Sequence, residues 1–248
     1  LMKRISKLSS NEMSKVFAQW NETEELSSYL VEITEICLNT KDDLTGDYVV
    51  EKILDKAGQK GTGLWTVISA LELGVPVPTI YASLNARVMS SLKEQRKEAE
   101  ELLPFEVDCE FDFGNISNSM KPLFDAVVLS TIASYAQGMD ILKEASTTYN
   151  YDLNMPSIAQ IWKGGCIIRS KLLKRIQDAY QKDPDLKNLI FDSWFNNQIS
   201  NKINNLSYVV SAASKASIPV PCLSSTLDYL NGYRLSLIHI SEPTRPSS

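Results

Sequence analysis

Apolar residues recur along most of the chain at the spacing of one buried face of an α-helix. Met13, Val16 and Trp20 give an early example. Ser9 and Glu12 have the spacing of a capping box, which predicts where that first helix begins. Because no stretch alternates strands with helices, the pattern predicts an all-α fold.

The same spacing predicts the other elements of the fold. A polar turn at residues 21–23 separates the first helix from a second one that runs through Leu26 and Cys37. Residues 104–118 lack the helical period and contain Pro104 and Gly114, so we expect a surface loop with a short strand at residues 105–113. Further helices are predicted at residues 49–54, 64–74, 79–103, 120–149, 156–181, 185–192, 194–216 and 222–232.

The predicted helix at residues 79–103 carries two kinds of face. Its first part has an apolar stripe that we interpret as core, made of Ile80, Leu84, Val88 and Leu92. Its later part alternates cations with glutamates, which is typical of a solvated face with ion pairs between neighbouring turns. The cations of that face are Lys93, Arg96 and Lys97, and the acids are Glu94, Glu98 and Glu100.

Composition narrows the class of protein. The chain has 248 residues, of which 44% are hydrophobic and 22% charged, as in soluble globular proteins. A net charge of −5 argues against a nucleic-acid partner, and no apolar run reaches the roughly 18 residues of a membrane span. Four widely spaced cysteines, Cys37, Cys109, Cys166 and Cys222, favour neither a disulfide framework nor a metal site. We therefore expect free thiols and a cytoplasmic protein, with no metal.

A glycine-rich loop is the clearest candidate for chemistry. Gly58, Gly61 and Gly63 fall within six residues, just before a predicted helix. Such a loop can turn tightly and approach a ligand closely, and the free N–H groups of a helix start attract anions. Lys60 adds a positive charge and Thr62 a hydroxyl at the same place. The loop therefore indicates anion binding.

Two nucleotide motifs do not fit this loop. A Walker A loop needs lysine and then serine or threonine after its last glycine, whereas Leu64 and Trp65 follow here. A dinucleotide fingerprint needs a third glycine where Thr66 stands, and a strand before the loop. We expect neither kind of nucleotide site.

A second cation is expected beside the loop. If a helix at residues 64–74 is followed by an antiparallel helix from Pro78, the second helix returns to the level of the loop near Arg87. Lys60, Thr62 and Arg87 would then surround one phosphate or carboxylate group. By spacing alone, we favour the simpler interpretation that Lys60 and Arg87 are separate surface charges.

The segment from Trp162 to Arg169 offers a weaker alternative site. Gly164 and Gly165 beside basic residues can form an anion-binding nest, but glycines in a helical region more often permit close packing. We favour packing, with residues 166–168 in the core. Cys166 lacks any neighbouring base in the sequence that would make it a nucleophile.

The glycine loop and several later sequence motifs resemble the substrate-side helical domain of the 6-phosphogluconate dehydrogenase family. These motifs occur in the family's order between about residue 10 and residue 234. They are Gly58–Thr66, Gly74–Val77, Ala86–Arg87, Ser90–Lys93, Ser134–Gly138, Trp162–Ser170, Ile218–Cys222 and Leu230–Arg234.

The resemblance implies a function. The family oxidises and decarboxylates 6-phosphogluconate to ribulose 5-phosphate with NADP, as a homodimer, in the pentose phosphate pathway. It implies that Lys60, Thr62 and Arg87 bind the substrate. Leu64 departs from the family, which usually has a basic residue there, so anion affinity is lowered or the change is tolerated on the helix flank.

The resemblance also bounds the chain. It implies that the NADP-binding domain, the acid and base, and a tail that reaches the partner subunit lie outside residues 1–234. We thus assign no catalytic residue and expect the chain alone to be inactive. Residues 235–248 resemble a translated sequencing adapter, so we expect a non-native tail that includes the sole histidine, His239. A different class of function, an all-α dimerisation module without a ligand site, remains open.

Overall fold

The computed structural model describes residues 1–58, 60–103 and 111–235, and within these ranges the fold is helical without a strand. The predicted all-α class is confirmed. The helices are α1 (Ser10–Glu22), α2 (Tyr29–Asn39), α3 (Thr62–Glu72), α4 (Pro78–Ser91), α5 (Lys93–Leu102), α6 (Lys121–Tyr149), α7 (Met155–Ile161), α8 (Leu172–Lys182), α9 (Ser193–Lys215) and α10 (Pro221–Arg234).

The predicted capping box at the start of α1 is present. The Ser9 hydroxyl accepts a hydrogen bond from the backbone N of Glu12, and the Glu12 carboxylate accepts one from the backbone N of Ser9 at 2.8 Å. Farther along α1, Trp20 is buried and its indole Nε1 donates to the carbonyl of Ser119 at 2.8 Å. The helix is thus anchored both at its start and in the core.

The long helix α6 forms the centre of the core. Leu129, Ile132 and Met139 are fully buried on it. From α9, Leu206 and Val209 join the same hydrophobic cluster. Helices α4 and α10 also pack against α6, so α6 is the scaffold that holds the helix carrying Arg87.

Four predicted helices differ in the structure. The helix expected at residues 79–103 is broken at Leu92, whose ψ of 48° is not helical, so α4 and α5 are separate. Residues 162–171 interrupt the helix expected at residues 156–181. Only a 3₁₀ turn at Leu189–Phe191 stands within the predicted helix 185–192, and another at Val49–Glu51 within 49–54.

The apolar stripe on α4 is only partly core. Leu84 is buried and Ile80 packs against a small apolar cluster, but Val88 and Leu92 are 40% and 37% exposed. The prediction of a continuous core stripe is therefore wrong for its second half.

Some predictions fall on parts of the chain outside the described ranges. The strand expected at residues 105–113 falls mostly on residues 104–110, which the structure does not describe. Residues 111–113 contain no strand. His239 and the rest of residues 236–248 are likewise outside the described residues, so the expected non-native tail stays a prediction.

The described part of the chain contains neither a membrane-spanning helix nor a metal-binding cluster. None of its helices is long and apolar enough to cross a membrane. None of its His, Cys, Asp and Glu side chains form a group of three or more that could hold a metal ion.

Candidate functional site

The glycine loop leads directly into α3. Gly61 is the N-cap of this helix and has a φ of +92°, in the left-handed region that glycine adopts without strain. No side chain caps the first turn, so the backbone N–H groups of Thr62, Gly63 and Leu64 have no capping partner within the described residues. The partial positive charge of a helix N-terminus is therefore available to an anion here.

Helices α3 and α4 form an antiparallel pair, as predicted. Gly74, with a φ of +70°, ends α3, and Pro78 begins α4. Close to the glycine loop the two helices touch: a Cβ built on Gly63 would lie 3.6 Å from Cδ1 of Leu84. Arg87 follows Leu84 by three residues, about one helical turn, so it lies on the part of α4 that faces the start of α3.

The three predicted site residues are all exposed at this end of the pair. Within the residues that the structure describes, the side chains of Lys60, Thr62 and Arg87 make no hydrogen bond or ion pair. No acid in this part of the chain therefore neutralises the charges of Lys60 and Arg87. Other arginines do hold acids: Arg96 with Asp55, Arg169 with Glu32 and Arg175 with Glu24.

A clasp at the end of α4, missed in the sequence, joins the loop to the helix. The backbone N of Ala57 donates to Oγ of Ser90 at 2.9 Å. Arg96 donates to the Asp55 carboxylate at 2.9 Å and to the carbonyls of Asp55 and Ser90 at 2.8 and 3.1 Å. The interpretation of Arg96 as part of a solvated face is therefore wrong. Its partners lie 41 and 6 residues away, too far for a helical spacing rule to find.

A buried glutamine holds the other end of α4. Gln137 of α6 accepts hydrogen bonds with Oε1 from the backbone N of Thr79 at 3.1 Å and of Ile80 at 3.3 Å. Its Nε2 donates to Oγ1 of Thr79, which is hydrogen-bonded to Oγ1 of Thr226 on α10. The side chain acts as an N-cap supplied by another helix, because Val77 provides none. The sequence analysis named Gln137 only as part of the family motif Ser134–Gly138.

The alternative site at residues 162–171 differs from its prediction. The segment is not helical, a Cβ on Gly164 would meet nothing within 4 Å, and Ile167 is 63% exposed. Close packing at these glycines and a core position for residues 166–168 are therefore wrong. The charge of Arg169 is paired with Glu32 and its guanidinium lies 5.1 Å from the Tyr29 ring centre.

Two cavities lie beside this segment rather than at the glycine loop. The larger, of about 580 Å³, is mostly apolar and is bounded by α1, α2, α6 and residues 167–170. The second, of about 530 Å³, is polar and contains Lys163, Lys171 and Lys174 together with Glu24 and Glu32. Because acids accompany these cations, the second cavity is less suited to an anion than the glycine loop, whose cations have no acidic partner in residues 1–58, 60–103 and 111–235.

A buried acid lies outside both the glycine loop and the segment at residues 162–171. Asp140 on α6 accepts a hydrogen bond from Asn188, and burial raises its pKa to about 7. Lys143 does not neutralise it, because its Nζ donates to the carbonyls of Asp185 and Leu186. Nothing places this acid near Lys60 or Arg87, so we treat it as a structural group.

Comparison with known proteins identifies the family and the fold of the chain. The model of the family described as 6-phosphogluconate dehydrogenase, C-terminal domain, matches residues 1–239. A solved structure of Plasmodium falciparum 6-phosphogluconate dehydrogenase, studied without ligand, with its cofactor NADP+ and with its substrate 6-phosphogluconate, superimposes with a TM-score of 0.88 at 40% identity. That match covers 99% of this chain and 51% of the other.

Curated relatives give the same result. The decarboxylating 6-phosphogluconate dehydrogenase of Synechococcus elongatus is 46% identical over 235 residues, which are 94% of this chain and 50% of that protein. The NADP(+)-dependent enzyme of Bacillus subtilis is 43% identical over 242 residues, 96% of this chain and 50% of that protein. The chain thus spans about half the length of these relatives. With a family model that matches nearly all of it, the chain belongs to the family of the 6-phosphogluconate dehydrogenase C-terminal domain.

Proposed function

We propose that this chain is the substrate-side half of an NADP-dependent enzyme that oxidises and decarboxylates 6-phosphogluconate to ribulose 5-phosphate. The single observation that carries the proposal is the glycine loop facing α4 with two cations, Lys60 and Arg87, that no described residue pairs, in a chain 46% identical to half of a decarboxylating 6-phosphogluconate dehydrogenase. The anion that these cations hold is the substrate's phosphate or carboxylate.

The chemistry of this group is binding rather than proton or hydride transfer. A phosphate monoester carries close to two charges near neutral pH and accepts several hydrogen bonds. Lys60 and Arg87 provide the charge, Thr62 a hydroxyl, and the first turn of α3 its free N–H groups. Each charge-assisted hydrogen bond contributes about 1.5–3 kcal/mol.

The described residues do not form a dinucleotide-binding fold. A dinucleotide site of this class needs strands alternating with helices, and the described residues contain none. We therefore assign the cofactor to the half of the enzyme that this chain does not span.

A hybrid enzyme tests the proposal. Residues 1–234 replace the matching half of the Bacillus subtilis relative, leaving out the tail that we expect to be non-native. We expect NADP-dependent oxidation of 6-phosphogluconate by the hybrid. Lys60→Ala and Arg87→Ala should each raise KM for 6-phosphogluconate by about ten- to a hundred-fold, the loss of one charge-assisted contact.

Lys97→Ala is the matched control, because it removes one exposed cation from the neighbouring α5. A folded hybrid without turnover, or an unchanged KM in both site variants, would contradict the proposal. That result would favour the other candidate, a dimerisation module without a ligand site.

Two further features belong to the proposal. We infer that the enzyme is a homodimer, which is supported by large apolar side chains left exposed on α3, Trp65 at 65% and Leu71 at 72%. We also infer a cytoplasmic location, supported by the free thiols of Cys37, Cys166 and Cys222. Sedimentation equilibrium of the chain and fractionation of the source cells test these inferences. A monomer at all concentrations, or an organellar enzyme, would contradict them.

A further inference from the structure

The two cations of the proposed site come from separate parts of the chain, so their spacing must be held by other residues. Lys60 follows Ala57 by three residues, and Arg87 precedes Ser90 by three residues. Ala57 and Ser90 are joined by a hydrogen bond of 2.9 Å. This hydrogen bond therefore ties the loop to α4 three residues away from each cation.

A single side chain reinforces that point. The Nη2 atom of Arg96 donates to the carbonyl of Asp55 at 2.8 Å and to the carbonyl of Ser90 at 3.1 Å. Its Nη1 atom donates to the Asp55 carboxylate at 2.9 Å. One rigid guanidinium thus bridges the backbone before the glycine loop and the backbone at the end of α4.

We propose that Arg96 is a positioning residue for the anion site, which sets the distance between Lys60 and Arg87 by clasping Asp55 to Ser90. The proposal rests on the proposed function of those two cations. Arg96 makes no contact with the substrate in this scheme; it acts only through the two backbone segments.

The geometry explains why an arginine stands at this position. A planar guanidinium presents several donors in a fixed fork, whereas a lysine ammonium is a point charge on a flexible stem. The bond from Arg96 also holds the pKa of Asp55 below its usual range, so the acid stays ionised as a partner. Since Asp55 is largely exposed, the two backbone carbonyls rather than the ion pair carry the positioning.

Hydrogen exchange on the 248-residue chain tests the clasp without any ligand. In Arg96→Ala we expect the amide of Ala57 to exchange about tenfold faster or more, because its backbone segment is released from α4. Amides in the core of α6 should be unchanged, which shows that the variant is folded. Unchanged exchange at Ala57 would overturn the proposal.

Kinetics of the hybrid enzyme test the positioning. Arg96→Ala should raise KM for 6-phosphogluconate about tenfold while kcat changes little, and Arg96→Lys should recover only part of that loss. Ser90→Ala removes only the hydroxyl that receives the Ala57 N–H and should raise KM in the same direction, which keeps the test open if Arg96→Ala fails to fold. Lys97→Ala, one position along α5, should leave KM unchanged.

The outcomes separate the two ideas. If Lys60→Ala and Arg87→Ala raise KM but Arg96→Ala and Ser90→Ala do not, the positioning role is wrong and the proposed function stands. If none of the four variants changes KM, the proposed function itself fails. A fall in kcat with KM unchanged in Arg96→Ala would also contradict positioning of a binding group.

Discussion

The side-chain amide of Gln137 binds the first turn of α4 with both its oxygen and its nitrogen. Its Oε1 accepts from the backbone N of Thr79 at 3.1 Å, and its Nε2 donates to Oγ1 of the same threonine at 3.0 Å. Both side chains are buried. A residue of the central helix therefore fixes the start of the helix that carries Arg87 at its other end.

Replacing this glutamine should cost stability. We expect Gln137→Leu to lower the free energy of unfolding by about 2–4 kcal/mol, because it leaves buried N–H groups without an acceptor. Urea denaturation of the chain measures the change as a lower midpoint at constant slope. The exposed Gln95→Leu on α5 is the control, and an equal effect in both variants would contradict the capping role.

The left-handed glycine before α3 should be sensitive to a methyl group. Gly61→Ala forces alanine to a φ of +92° and should lower the free energy of unfolding by about 1–2 kcal/mol. Since it displaces the loop, it should also raise KM for 6-phosphogluconate in the hybrid. Gly74→Ala carries the same strain at the far end of α3 and should leave KM alone. Equal KM values for both variants would argue against a site at the loop.

The departure from the family at Leu64 can be reversed. Leu64 is exposed in the first turn of α3, so Leu64→Lys adds a cation beside the loop without filling the core. We expect KM for 6-phosphogluconate to fall about two- to fivefold in the hybrid. The free energy of unfolding should fall by about 0.3–1 kcal/mol, because a cation is unfavourable at a helix N-terminus. An unchanged KM would favour a tolerated substitution on the helix flank.

The buried acid Asp140 should make stability depend on pH. Burial raises its pKa in the folded chain from 3.8 to about 7. Between these values the folded state keeps a proton that the unfolded state releases, so this contribution to stability falls as pH rises. Asp140→Asn cannot ionise and should become more stable relative to the parent from pH 4 to pH 7, with a slope of at most about 1.4 kcal/mol per pH unit.

Chemical denaturation across that pH range measures the difference between parent and variant. The exposed Asp43→Asn is the control, since it should show no such trend. A constant difference between Asp140→Asn and the parent from pH 4 to pH 8 would show that the acid ionises normally in the folded chain.

Local patterns were enough for much of the fold. The capping box of Ser9 and Glu12, and the helices now found as α6, α9 and α10, follow from spacing and turn residues within a few positions of each other. The same is true of the glycine loop and the antiparallel pair α3 and α4, because Gly74 and Pro78 mark the turn between them. Family motifs in the sequence indicated the class of substrate, and the relatives are enzymes for that same class.

Contacts between distant segments were decided only by the tertiary structure. Gln137 meets Thr79 across 58 residues, and Arg96 meets Asp55 across 41. A periodic pattern shows which face of a helix is apolar, but it contains no information about which polar side chain of another helix lies opposite. For that reason the sequence pattern indicates a solvated cation at Arg96. The break at Leu92, which turns α5 toward Asp55, is not visible in that pattern either. The sequence by itself determined most of the helices and the candidate cations Lys60 and Arg87. The packing of α4 on α6 and the contacts of α5 decided how α4 and the loop are held, because hydrogen bonds between remote segments form only once the core is assembled.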